Sequence, residues 1–69
     1  MIEVFKTNVQ NESVAEEIRS ALRKELPGSA IHFDLEDCDH VLRIEGVSVN
    51  PALVISTLKK RNVHCEVME

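Results

Sequence analysis

Aromatic side chains are nearly absent: Phe5 and Phe33 are the only two, with no tryptophan and no tyrosine. This excludes a platform on which nucleobases could stack, and it leaves the core to valine, isoleucine, leucine and alanine. Glycine and proline occur twice each, too few for a glycine-rich phosphate loop or a low-complexity linker. Two cysteines, Cys38 and Cys65, cannot build a disulfide scaffold, and the chain reads as a cytoplasmic one whose thiols stay reduced. No stretch approaches the ~20 apolar residues of a membrane-spanning helix. Met1-Ile2-Glu3-Val4-Phe5-Lys6 also lacks the apolar segment of a secretory signal.

Positive charge is the scarcer sign. Eight basic residues against twelve acidic ones give a formal charge of -4, which argues against nucleic acid or an anionic membrane as the main partner. Lys59-Lys60-Arg61 is the only run of three basic residues, and it suits the last turn of a helix, where cations face the negative end of the dipole.

What remains is a chain of 69 residues, 43% of them hydrophobic, which predicts one domain over 1–69 that buries about 60% of its unfolded surface. Residues Ile2 to Val9 are rich in apolar and β-branched types without helical spacing and predict a strand. Within it Ile2 and Val4 point opposite to Phe5, so either a bulge shifts the register or the open sheet face carries apolar residues and invites self-association. A helix start follows, capped by Asn11 or by Ser13 with Glu16 in a capping box. Val14, Ile18, Ala21, Leu22 and Leu26 then fall on one helical face. Pro27-Gly28 ends the helix.

Ala30 to Glu36 alternates, with Ile31, Phe33 and Leu35 inward, and Val41 to Glu45 does the same with Leu42 and Ile44, so the two predict a hairpin across the polar turn Asp37-Cys38-Asp39-His40. Asn50-Pro51 marks a second helix, capped by Asn50, with Val54, Ile55 and Leu58 buried and Asn62 in a left-handed position at its end. Val63, Cys65 and Val67 form the inward side of a fourth strand. The order strand, helix, strand, strand, helix, strand predicts an α+β, ferredoxin-like βαββαβ sandwich: a four-stranded antiparallel sheet with both helices on one face.

Ile18 with Ala21-Leu22, Leu26-Pro27-Gly28, the hairpin from Ile31 to Gly46, Val54-Ile55 with Leu58, and the final Asn62 to Val67 together resemble the heavy-metal-associated domain family. That family includes small copper chaperones and the metal-binding domains of transport ATPases. Phe5-Lys6-Thr7-Asn8-Val9 is similar to the lead-in that some members carry before the metal loop. The resemblance implies the same fold, and in the family the activity resides in a Cys-x-x-Cys pair at the start of the first helix. Counting back four positions from Ile18 places that pair on Val14 and Asn11, and neither is a thiolate. A neutral amide oxygen is a poor ligand for a soft Cu(I) ion and valine offers no donor, so the family's manner of holding metal is not expected here.

No cofactor is expected and no enzyme activity, because the chain has no activated nucleophile paired with a base. The leading expectation is a domain that works through a protein partner. Its contact surface is the end carrying Asn8, Gln10, Asn11, Lys59, Lys60 and Arg61, or else the sheet face or edge in a homodimer. The alternative is an altered metal-handling protein in which Cys38, His40 and His64, brought together at one end of the sheet, hold zinc or another divalent ion. A third reading uses the amides at the start of the first helix to hold an anion. His32 and His64 are expected at the surface and Cys65 in the core.

Overall fold

Residues 1–68 are described by the computed structural model. The elements follow in the order β1 (Ile2–Thr7), α1 (Glu12–Glu25), β2 (Ala30–Asp34), β3 (Val41–Glu45), α2 (Pro51–Lys59) and β4 (Cys65–Val67). The four strands form one antiparallel sheet in the order β2-β3-β1-β4. This is the expected ferredoxin-like sandwich. Phe5, Ile31, Leu42, Ile44 and Cys65 from the strands meet Ala15, Ile18, Leu22, Val54 and Leu58 from the helices in one apolar cluster, so both helices cover the same face. Each of the fully buried side chains Ile18, Leu22, Leu42, Ile44 and Leu58 contributes about 1.5–3 kcal/mol by leaving water.

β1 pairs with β3 without interruption, Ile2 opposite Glu45 through Phe5 opposite Leu42. There is no bulge in this pairing, and the alternation resolves the conflict between Ile2, Val4 and Phe5 by placing Ile2 and Val4 on the open face, beside the charged Lys6, Arg43 and Glu45. Phe5 and Thr7 point into the core while Ile2 stays 55% exposed. β1 stops at Thr7 rather than Val9, although Val9 is itself buried in the loop that follows.

Asn11 is the cap of α1: its Oδ1 accepts the Val14 N–H at 2.8 Å, and its carbonyl accepts the Ala15 N–H at 3.1 Å. Ser13 lies inside the first turn, so the capping box with Glu16 does not form. Glu16 instead faces Arg19, which also engages Glu12, and the three make a charged strip along the solvent side. Ala15 belongs to the fully buried residues, a small side chain that lets the helix approach the sheet. The chain leaves α1 through Leu26 and Pro27 and turns at Gly28, whose φ of +84° favours a residue without Cβ.

β2 ends at Asp34, two residues earlier than the alternation predicts, because the Asp34 carboxylate accepts the Asp37 N–H at 3.3 Å and starts the turn there. Leu35 remains packed against the core from within the turn. α2 begins with Pro51 behind Asn50, whose Oδ1 accepts the Ala52 N–H at 3.0 Å. Val54 and Leu58 are buried as expected, Ile55 only partly, and Thr57 takes the remaining buried place by donating its hydroxyl to the Leu53 carbonyl at 2.9 Å. The helix closes at Asn62, with φ of +60°, followed by Val63, whose N–H donates to the Leu58 carbonyl at 3.0 Å. Val63 is therefore buried as part of this closure rather than as the first residue of β4.

Candidate functional site

The loop after β1, the β2–β3 turn and the connection from α2 to β4 meet at one end of the sheet, and two consecutive residues join them. Thr7 donates its hydroxyl to the His40 carbonyl at 2.6 Å, and its N–H donates to the Asp39 carbonyl at 3.2 Å. Asn8 accepts the His64 N–H on Oδ1 at 3.0 Å. Neither contact is evident from the residue pattern alone. The available signal is a polar residue, Thr7, on the inward parity of a strand, a place that demands a hydrogen-bond partner.

Asn11 and Val14, the positions to which the resemblance assigns thiolates, occupy the cap and the first turn of α1. The Asn11 side chain is committed to the Val14 N–H, while Val14 is half-buried against the core. The same contact uses one of the amides on which an anion would depend.

Cys38, His40 and His64 do not assemble as a ligand set. Among the described residues, the donor atoms that come together, all within 4.8 Å of one another, are those of Asp37, Cys38 and Asp39. Both carboxylates have other work in the turn. Asp37 accepts the Asp39 N–H at 2.8 Å, and Asp39 lies 3.6 Å from the Lys6 ammonium. His40 sits at a positive φ of 45° with its Nδ1 buried and without a partner. His64 is exposed and its Nε2 faces the Glu66 carboxylate at 3.6 Å.

The two thiols differ. Cys38 is exposed at the turn, whereas Cys65 is buried and its thiol is pushed up to about 11, first by burial and then by the neighbouring Glu66 carboxylate.

The basic run is less available than its composition suggests. Lys59 and Lys60 are exposed, but Arg61 is half-buried. It donates from Nη1 to the Thr57 carbonyl at 3.3 Å and approaches Glu17 at 3.6 Å. Arg61 thus closes the end of α2, and the free surface at this end consists of Asn8, Gln10, Asn11, Lys59 and Lys60.

No protein-family model, curated protein or solved structure matches the chain. No helix among the described residues is long and apolar enough to cross a membrane.

Proposed function

We propose that this chain is a small interaction domain related to the heavy-metal-associated family, lacking the thiolate pair and acting in the cytoplasm through protein contacts without catalysis. One observation carries the reading. At the two positions where the resemblance places soft ligands, one side chain caps α1 and the other packs on the core. The start of the helix is completed by groups that need no ion. Contact surfaces on offer are the end bearing Asn8, Gln10, Asn11, Lys59 and Lys60, and the sheet, through its open face or an edge.

The competing reading, divalent-ion binding, draws its support from the proximity of Asp37, Cys38 and Asp39. Against it, both carboxylates already hold the turn or face Lys6. Titration with Cu(I), Zn(II) and Ni(II) under reducing conditions, followed by native mass spectrometry, decides between the two. A chain that stays free of metal supports the interaction domain. Stoichiometric binding abolished by Cys38→Ser overturns it.

A further inference from the structure

β2 is an outer strand of the sheet, and its pairing with β3 is regular from Ala30 to Asp34. The Gly46 N–H donates to the Met1 carbonyl at 2.9 Å, and backbone groups along an antiparallel strand alternate in direction. Ile44 and Leu42 therefore bond towards β1, while Glu45, Arg43 and Val41 bond towards Ala30, His32 and Asp34. The N–H and C=O groups of Ile31 and Phe33 are left pointing away from the sheet. Natural edges are ordinarily blunted by lysine, proline or a bulge, and β2 has none of these. β4, the other outer strand, is only three residues long.

The sequence of β2 is complementary to itself. When it lies antiparallel to a second copy about a two-fold axis through Phe33, His32 stands opposite the second copy's Asp34 on the open face, and the reverse pair repeats it. On the helix side Phe33 meets Phe33, covering a side chain that is only partly buried in one copy, while Ile31 faces the start of the second copy's turn, beyond the end of its β2. Sliding the partner to centre on His32 sets imidazole against imidazole and loses both imidazole–carboxylate contacts. One Asp34 oxygen serves the Asp37 N–H, which leaves the other for the imidazole. A depression of about 300 Å3 lined by His32, Phe33, Asp34, Val41 and Arg43 lies beside this edge. The open face fits a second copy less well. Arg43 stands between His32 and Val4 in the sheet, so stacking two faces would take it out of water together with the exposed Asp34 and Glu45 of the same face, at a desolvation cost.

We infer that the chain pairs with a second copy of itself through β2, joining two four-stranded sheets into one of eight strands. The register is set by His32 against Asp34 and by Phe33 against Phe33. The inference rests on the reading of the chain as a contact domain and names one partner for it. A single strand pair buries less than the roughly 800 Å2 per partner of a standard interface, so the dimer forms and dissociates readily.

Sedimentation velocity and amide spectra of the full chain from about 10 μM to about 1 mM, the range of weak complexes, test it. The expected result is a mass rising from 7.8 kDa towards twice that value, with concentration-dependent shifts along Ile31 to Asp34 and slowed exchange at the Phe33 amide. His32 and Asp34 are exposed, so charge changes there act on pairing. His32→Asp weakens the dimer about tenfold and His32→Lys strengthens it about threefold, from two symmetric cross-strand pairs. An equal mixture of His32→Asp chains, which repel themselves, and Asp34→Lys chains, which lack the acceptor for His32, dimerises again, the introduced carboxylate of one facing the introduced ammonium of the other. A monomer throughout, shifts centred on Ile2, Val4 and Met68, or no response to the His32 series overturns the inference. A chain that binds no metal yet stays monomeric leaves the contact-domain reading standing, whereas one that binds metal through Cys38 and still pairs through β2 overturns that reading alone.

Discussion

The Thr7 hydroxyl reaches the carbonyl of His40, thirty-three residues further along the chain, at 2.6 Å, and its oxygen in turn accepts the Val9 N–H at 3.3 Å. Thr7 is only 4% exposed, so removing the hydroxyl leaves two backbone groups short of a partner. Thr7→Val should lower stability by about 1–3 kcal/mol in urea unfolding, while Thr7→Ser keeps most of it. Amide exchange in the β2–β3 turn should quicken in the valine variant and not in the serine one. Equal losses in both variants would mean that packing, not the hydroxyl, matters at this position.

The cap of α1 separates two side chains that the sequence alone leaves in competition. Asn11→Ala removes the acceptor of the Val14 N–H and is expected to cost about 1 kcal/mol, whereas Ser13→Ala changes stability by only a few tenths. Thermal or denaturant unfolding of the two variants measures the contrast.

Placing cysteine at both Asn11 and Val14 recreates a thiolate pair at the cap and first turn of α1. The double variant is expected to bind one Cu(I), displacing a chromogenic chelator in competition, while either single variant binds far more weakly because one soft donor is missing. A double variant that keeps the wild-type amide spectrum but fails to bind would show that the loop geometry, and not only its ligands, departs from the family pattern.

Cys65 and Cys38 should label on different timescales. The exposed Cys38 thiol reacts promptly with a disulfide reagent at mildly alkaline pH, and the buried Cys65 thiol only as the domain opens. Burial lifts the Cys65 thiol from 9.0 to about 11. Between those values the unfolded chain releases a proton that the folded chain retains. The stabilising effect of the neutral thiol is therefore complete below about pH 9 and falls away as pH rises towards about 11. Cys65→Ala should flatten the dependence of unfolding on pH in that window.

A Cβ at Gly46 would stand 2.5 Å from the Ser29 Oγ and 3.2 Å from the Ser29 Cβ. Gly46→Ala is expected to destabilise by about 1 kcal/mol, since the serine must turn away. Ser29→Gly in the same chain should recover most of that loss, and the double-mutant cycle measures the coupling. At Gly28 the cost of alanine is conformational, because its φ of +84° is unfavourable for any Cβ although nothing lies within 4 Å.

Much of the fold is legible because period and punctuation agree. Leu26-Pro27-Gly28 and Asn50-Pro51 mark helix boundaries by backbone chemistry that few other dipeptides share, and the alternation around Phe33 and Leu42 fixes which side of the hairpin is buried. Strand ends are less legible. Asp34 stops β2 through its own side chain, and Val63 is buried for the sake of a helix closure, so apolar parity continues past the last paired residue. The end of the domain is least legible of all. Whether Cys38 meets His40 or Asp37 depends on how a six-residue turn folds back on itself, and the positive φ of His40 carries the imidazole out of the set that counting suggests. Thr7 and Asn8 give no local pattern, since each is defined by a backbone group far away in sequence.

Thr7 and Asn8 sit side by side, yet one fastens the hairpin and the other the connection leaving α2. Their order is a key cut into the chain. Deleting a single residue within β1 would present the Asn8 amide where the Thr7 hydroxyl belongs, inserting one would put Lys6 there, and either would detach both neighbours at once. The three connections at this end are therefore coupled through the length of one strand, and a change in that length disturbs them together, whereas a change of an outward side chain does not.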